Sequence, residues 1–422
     1  MLKPIALAVL LSISALTVDA GAAEFVSTLN APNTSASPLF KGSSNGNLAG
    51  TTSVSKVDVH TLLYPGSTTK VLAHYLPWWG PNPRGLDVGY RSDDPRQAQR
   101  TFDDMASRGV DGVIVDWYGE GHFVDTAWKA SMPALAANPK MSFALMVDSG
   151  TFKFNACKGC DLNQTILHQL DYMAREYFPS RQYLRHDGRP VVFEFGMEAV
   201  GKADWARIQA ARPDVLWVHI HAHGLNLPAS KGAFVWVEAQ SKARAKDDPA
   251  SLTGLDIFYN TATSQPTKIA VGGVWKGFDD SMAPWAAASP HVLAQDCGKT
   301  WLEGFRILNE HYSAHQQIPF LQLVTWNDYE EGSALETGIA SCVKIDARRA
   351  GQTLAVSLSH PENVDHLELY EQAAPASFRL VGRYAPSVTS IPLTERSSNS
   401  YFLKAVGKPF MQNVISPPIK LE

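Results

Sequence analysis

Between Val71 and Gly332 the chain repeats one design, a short apolar run that ends in polar or aromatic residues. The runs are VLAHYLPWWG from Val71, GVIVDWYGEG from Gly112, FALMVDSG from Phe143, VVFEFG from Val191, VLWVHIHAHG from Val215, FVWVEAQ from Phe234, IAVGGVWKG from Ile269 and FLQLVTWNDYEEG from Phe320. Apolar runs this short, bounded by polar residues, describe buried parallel strands. Helix-like segments lie between many of them: RQAQRTFDDMASRG ending at Gly109, NQTILHQLDYMAREYF from Asn163 and KTWLEGFRILNEHY from Lys299. About eight such strand and helix units over roughly 270 residues predict an α/β domain closed as a (β/α)8 TIM barrel. A doubly wound open sheet is the alternative. No GxGxxG turn follows the first run, which argues only against the nucleotide-binding form of that sheet.

The flanks have other patterns. From Ile345 the chain alternates without helices, through TLAVSLS, HLELYEQ, FRLVGRY, SIPL, SYFLKAVG and NVISPPIKL, which predicts a small C-terminal β-sandwich domain over 345–422. That domain either binds sugar or braces the barrel, expected over 67–344. Residues 24–66 are rich in Ser, Thr, Asn and Gly and show no period, as a linker or loosely held arm would. Residues 1–23 resemble a secretory signal peptide, with Lys3, an apolar stretch from Ile5 to Val18, and Ala20, Ala22 and Ala23 for cleavage. That stretch is short of the ~20 apolar residues that span a bilayer, although an uncleaved anchor is the alternative reading. No other segment is suited to cross one.

Composition narrows the partner. The 422 residues are 45% hydrophobic and 18% charged, with a formal net charge of -4 and no long run of one sign. Nothing electrostatic favours nucleic acid or an anionic membrane surface, and neutral substrates fit better. Four cysteines in an exported chain suggest disulfides, and of the possible pairings Cys157 with Cys160 and Cys297 with Cys342 are expected. The CKGC spacing is also that of a redox motif or half a zinc site, but no second CxxC occurs. A monomer, secreted or periplasmic, is the expectation.

In a barrel the active site lies at the C-terminal ends of the strands, so the residues closing each run are the candidates. They are His74, Tyr75, Trp78 and Trp79 after the first run; Asp116, Trp117 and Tyr118 after the second; Asp148 after the third; and Glu194 in the fourth. The fifth offers His219, His221 and His223, the sixth Glu238, the seventh Trp275, and the eighth Asp328 and Glu331, beside Trp326 and Tyr329. Carboxylates among indoles and phenols describe a sugar site, because aromatic faces stack on the apolar faces of pyranose rings while acids bond hydroxyls and move protons. Glycosidic cleavage commonly uses two carboxyls, and Asp328 with Glu331 is the selected catalytic pair, Glu330 being read as a solvent-facing neighbour. The rival is the triplet HIHAHG. Period-two spacing would put its histidines on one strand face, where they suggest a metal-dependent hydrolase. Same-face positions lie ~6.6 Å apart, too far for three to converge on one ion. No metal and no cofactor is therefore expected, and the histidines are read as hydrogen-bonding groups near a sugar.

The run Thr325, Trp326, Asn327, Asp328, Tyr329 and then Glu331 resembles the signature of glycoside hydrolase family 71, the α-1,3-glucanases called mutanases. The continuation Gly332 to Glu336 is similar to family 99, the endo-α-mannosidases. The likeness touches AHYLPWWG, GVDGVIVDWYG and HDGRPVVFEFG as well, and so spans most of residues 70 to 340. Both families are TIM barrels, and the resemblance implies that Asp328 and Glu331 are the catalytic acids and that Asn327 and Glu336 belong to the substrate site. Family 71 inverts the anomeric centre and family 99 retains it, so the motif points to both outcomes. A polysaccharide or oligosaccharide substrate is implied, α-1,3-glucan first and α-mannan second, with a non-catalytic sugar-binding barrel as the further alternative.

Overall fold

Eight strands close on themselves in chain order: β1 Lys70–Tyr75, β2 Gly112–Trp117, β3 Ser142–Asp148, β4 Arg189–Phe195, β5 Leu216–Ile220, β6 Gly232–Phe234, β7 Ile269–Trp275 and β8 Phe320–Val324. Every neighbouring pair is parallel, and β8 returns to β1 with Lys70 opposite Phe320, so the ring has no open edge. This is the (β/α)8 barrel, and the open doubly wound sheet is excluded. The chain is seen in a computed structural model that describes residues 53–80, 86, 88–154, 156–241, 252–286, 288–374, 377–393 and 400–420. The signal peptide expected over 1–23 and most of the arm lie outside the described residues. Among the described residues no helix is long and apolar enough to cross a membrane.

Strand alternation sorts the side chains into two cores. Leu72, Ile114, Met146, Phe193, Val218, Phe234, Val271 and Phe320 fill the barrel. Val71, Val113, Trp117, Leu145 and Trp217 point outward onto the helices. These are α1 Pro95–Ser107, α2 Phe123–Ala136, α3 Leu162–Glu176, α4 Trp205–Ala211, α5 Thr253–Thr263 and α6 Lys299–His311. Helix α1 shows the local logic. Asp94 accepts the Arg96 N–H as N-cap, Pro95 opens the first turn, and Ala98, Thr101, Phe102 and Met105 recur on one face and are buried. Helix α3 begins with a capping box between Asp161 and Gln164.

Two strands end earlier than the apolar runs predict. Strand β6 spans Gly232–Phe234, so FVWVEAQ begins where the ladder stops. Its first residue carries no apolar signal because a Cβ at Gly232 would lie 2.3 Å from the Ile269 carbonyl oxygen. Strand β5 ends at Ile220, and His221, at φ 59°, starts a one-turn helix His221–Gly224. The three histidines of HIHAHG therefore do not share a strand face.

Beyond the barrel, β9 Ile345–Ala350, β10 Thr353–Leu358 and β13 Ser390–Pro392 form one antiparallel sheet, and β11 Val364–Ala374, β12 Ser377–Tyr384, β14 Tyr401–Gly407 and β15 Val414–Ile415 the other. Leu354, Val356 and Ile391 meet Leu367, Leu369 and Leu403 in a shared core, as in a sandwich. Between β14 and β15 the chain reaches back to the barrel. Phe410 and Met411 are buried in the barrel's outer core, with Phe410 edge-on to Trp301 and Trp326. Val54 bridges Gln412, and Val54, Val59, Leu63 and Tyr64 are buried. The expected arm is thus packed from residue 53 onward, its few apolar residues being too sparse to show a period. Both disulfides have the expected pairing, Cys157–Cys160 and Cys297–Cys342.

One buried cation joins these parts. Arg108, just after α1, has no solvent exposure. Its Nη1 donates to the Leu335 carbonyl at 3.0 Å, its Nη2 to the Glu336 carbonyl at 2.9 Å, and its Nε to Asp104 Oδ1 at 3.1 Å. Its Cζ lies 5.1 Å from the centroid of the Trp326 ring and 5.3 Å from that of Phe410. We predict that Arg108→Ala lowers unfolding free energy by about 3–5 kcal/mol, the usual cost of breaking a buried charge pair. Arg108→Lys should recover little of it, since one ammonium cannot span two carbonyls and a carboxylate. Urea denaturation measures both, and a loss under about 1 kcal/mol, the scale of an exposed pair, would contradict the assignment.

Candidate active site

The loop after β8 is held by a set of internal hydrogen bonds. Its Val324–Thr325 peptide is cis. Thr325 Oγ1 meets Ser333 Oγ at 3.0 Å, the Leu335 N–H donates to the Thr325 carbonyl at 3.0 Å, and the Glu336 N–H donates to the Trp326 carbonyl at 2.9 Å. Inside this frame the Asp328 N–H donates to Thr325 Oγ1 at 2.9 Å, and Asp328 Oδ1 accepts the Glu331 N–H at 3.0 Å. The Glu331 carbonyl in turn accepts the Asp279 N–H at 2.8 Å. Asp328 thereby orients the residue that carries its partner acid.

Both acids open into a cavity of about 700 Å³ at the C-terminal end of the barrel. Asp116 of β2 and Asp148 of β3 line it too, so four carboxylates face one space. Asp148 is held by the Gly150 N–H at 2.5 Å, and Gly150 leaves room for Tyr118, whose ring would lie 2.4 Å from a Cβ there. The Glu331 carboxyl is held well above the ordinary range, first by burial and then by repulsion from Asp328, Asp280, Asp116 and Glu330. Glu330 is itself buried, at 1% exposure, and is not the solvent-facing neighbour expected. His74, from β1, is pushed down to about 3 by burial and is neutral at ordinary pH. Its Nδ1 has no hydrogen-bond partner among the described residues, and its ring lies edge-on to Trp236 at 4.8 Å.

The structure brings together His74, Trp78, Asp116, Tyr118, Asp148, Asp328 and Glu331 in that cavity and leaves the other candidates out of it. Tyr75 and Trp117 are one position out of phase with the inward face. Tyr75 packs on Phe102 and Trp128, while Trp117 stacks on Tyr172 and donates its Nε1–H to Asp125 at 3.0 Å. Trp117 is thus core and not groove. Trp79, Asn327 and Tyr329 serve the loop: Trp79 Nε1 donates to the Asn327 carbonyl at 3.2 Å, and the Asn327 side chain accepts the Leu76 N–H at 2.9 Å and donates to the Leu76 carbonyl at 3.0 Å. Tyr329 donates to the Glu336 carboxylate and stands 3.3 Å from the Tyr90 hydroxyl. Trp326 is buried under Arg108, and Trp275 is buried in the outer core.

Glu194 points out of the barrel, where its Oε1 faces His219 Nδ1 at 3.3 Å and lines a separate cavity beside α4. His221 pairs with exposed Glu238 at 3.6 Å, and His223 with Glu198 at 3.3 Å. Each histidine of the triplet faces a different carboxylate, and among the described residues no group of three His, Cys, Asp or Glu is placed to hold a metal ion. His122, Phe154, Phe195 and Trp285 line the cavity too but are not among the strand-end candidates, and neither is Trp236. Counting two from inward Phe234 identifies it, whereas taking the last residue of the run selected Glu238.

Glu336 offers a test of this placement. Burial pushes its carboxyl up from 4.5 to about 7, with the Tyr329 hydrogen bond and the Arg108 charge opposing. A carboxyl whose folded pKa is raised binds its proton more tightly in the folded state, so its contribution to stability falls as pH rises from the unfolded value towards the folded one. Glu336→Gln does not titrate. Relative to this variant the wild type should lose about 3 kcal/mol between roughly pH 4 and pH 8, read by urea denaturation. An unchanging difference would show that Glu336 is not held in this way.

No protein-family model matches the chain, and no curated protein is significantly similar to it in sequence. Among solved structures it is similar to the GH99 endo-α-mannosidase from Bacteroides thetaiotaomicron bound to bis-tris propane, at 18% identity over 63% of this chain and 86% of that one, with a TM-score of 0.49. A second structure of that enzyme gives 16% identity, 63% and 87% coverage and a TM-score of 0.49. A glycoside hydrolase-like protein gives 10% identity, 64% and 87% coverage and a TM-score of 0.49. These likenesses are slight, and the barrel assignment rests on the strand order itself.

Proposed function

We propose that the chain is an exported glycoside hydrolase, secreted or periplasmic, that cleaves an α-linked polysaccharide, α-1,3-glucan foremost. The observation that carries this reading is the meeting of Asp328 and Glu331, the latter with its carboxyl held high, in one aromatic-walled cavity at the C-terminal end of the barrel strands. Glu331, kept protonated by burial and by neighbouring acids, is the general acid and gives its proton to the leaving glycosidic oxygen. Asp328 takes a proton from water as that water attacks the anomeric carbon from the opposite face, and the anomeric centre inverts. Neutral His74 and the carboxylates of Asp116 and Asp148 bond sugar hydroxyls, and Trp78 and Trp236 cover apolar ring faces. An α-mannan is the second substrate class, on the strength of the Gly332 to Glu336 likeness.

Asp328→Asn and Glu331→Gln should each lower turnover of an α-glucan on the order of a hundredfold or more, with circular dichroism unchanged. On a glycoside with a good leaving group, which needs no acid, Glu331→Gln should regain most of its rate and Asp328→Asn should not. Equal losses on both substrates in both variants would refute the division of roles. The rate should fall on the alkaline side as Glu331 ionises, and because its carboxyl is held high that limb lies above the ordinary carboxylate range. Proton NMR of the first-formed reducing end should show the β anomer from an α-linked substrate, whereas early α anomer would mean retention.

A further inference from the structure

Large apolar side chains that stay exposed on a folded chain are usually scattered singly. Here two of them converge. Phe154 and Trp285 are 53% and 52% exposed, and both line the cavity that holds Asp328 and Glu331. Phe154 belongs to the segment after β3 and Trp285 to the segment after β7, strands four places apart in a ring of eight, so the two segments leave from opposite sides of the barrel mouth. From Phe154 a line of rings descends the wall. His122 is 4.4 Å from Phe154, Tyr118 is 5.3 Å from His122, and Trp78 is 6.4 Å from Tyr118. The cavity, at about 700 Å³, is larger than one hexose requires and lies within the range that encloses a larger ligand.

Burying an aromatic ring is favourable, so a ring left half in water at a binding cleft gains most when a ligand covers it. A ligand that lays an apolar face on successive rings while keeping its hydroxyls in water is a chain of pyranose units. We propose that Phe154 and Trp285 are sugar-stacking residues at two opposite edges of the cleft, gripping units of a neutral oligosaccharide remote from the bond cleaved, so that the protein selects long chains over short ones. This rests on reading the cavity as a glycan site and adds its determinants of chain length.

The test uses the full chain with Phe154→Ala, Trp285→Ala and the double variant, each checked for an unchanged circular dichroism spectrum. The probes are linear α-1,3-gluco-oligosaccharides and α-manno-oligosaccharides from disaccharide to heptasaccharide. The wild-type kcat/KM should climb with length, and the double variant should flatten that climb, its loss on the heptasaccharide exceeding its loss on the disaccharide by roughly tenfold, with Trp285→Phe keeping most of the preference. Equal losses at every length, as a merely structural role would give, would overturn the proposal. Binding of the same probes to Asp328→Asn protein by calorimetry separates this from the hydrolytic reading. If the wild type cleaves none of them but length-dependent binding is seen and is lost in the double variant, the stacking sites stand and hydrolysis fails. Binding undiminished in the double variant, or no binding of any probe, overturns the stacking sites.

Discussion

The arrangement of this barrel depends on where a single buried guanidinium finds its acceptors. The C-terminal turn of α1, the end of the site loop and the segment that returns from the sandwich domain converge on Arg108, and a charge with no solvent exposure has to be satisfied by whatever surrounds it. Asp104 neutralises it, while the Leu335 and Glu336 carbonyls take two of its N–H groups and fix the end of the loop. The rings of Trp326 and Phe410 lie within cation–π reach. The indole of the TWNDYEEG motif is thereby a structural member, and the acids it precedes are held from behind.

In front of that support the barrel accepts an electrostatic cost. Asp116, Asp148, Asp328 and Glu331 share one cavity with buried Glu330 close by, and crowded like charges add to desolvation in raising the proton affinity of Glu331. The backbone frame keeps the crowd from relaxing. The hydrogen bonds between Thr325 and Ser333 and from the Glu331 N–H to Asp328 each remove a way for the acids to move apart. Such a site is less stable than an apolar one of the same volume, and the strands beneath it, packed with Leu72, Ile114, Met146 and Phe193, supply the rigidity it needs.

Much of this was legible in the chain because parallel strands buried on both faces write themselves as apolar runs, and the run that ends in Asp328 and Glu331 is conspicuous. What misled was phase. A run says that a strand exists but not which of its last two residues faces inward, and a one-residue difference sends Tyr75 and Trp117 to the helix layer while His74 and Asp116 stay in the cavity. Glu194 was lost for the same reason, lying between inward Phe193 and cavity-lining Phe195. Short strands hid more. Gly232 and Ala233 open β6 without an apolar signal, so the neighbouring run drew attention to Glu238 and away from Trp236. The packing of residues 53–66 depends on contacts distant in sequence, with Gln412 and Arg108 among them, which no local pattern encodes.

The Cys297–Cys342 bridge has a topological result of its own. Its 45-residue separation takes in α6, β8 and the whole of the site loop, so the segment bearing both acids is a closed covalent ring. A protease that cuts one peptide bond inside that ring releases nothing, because both new ends stay tied through the sulfurs and the barrel's closing strand remains tethered to its neighbours. Two cuts, or one cut with reduction of the bridge, are needed to detach it. The ring therefore protects the segment that carries Asp328 and Glu331 from excision by any single cut.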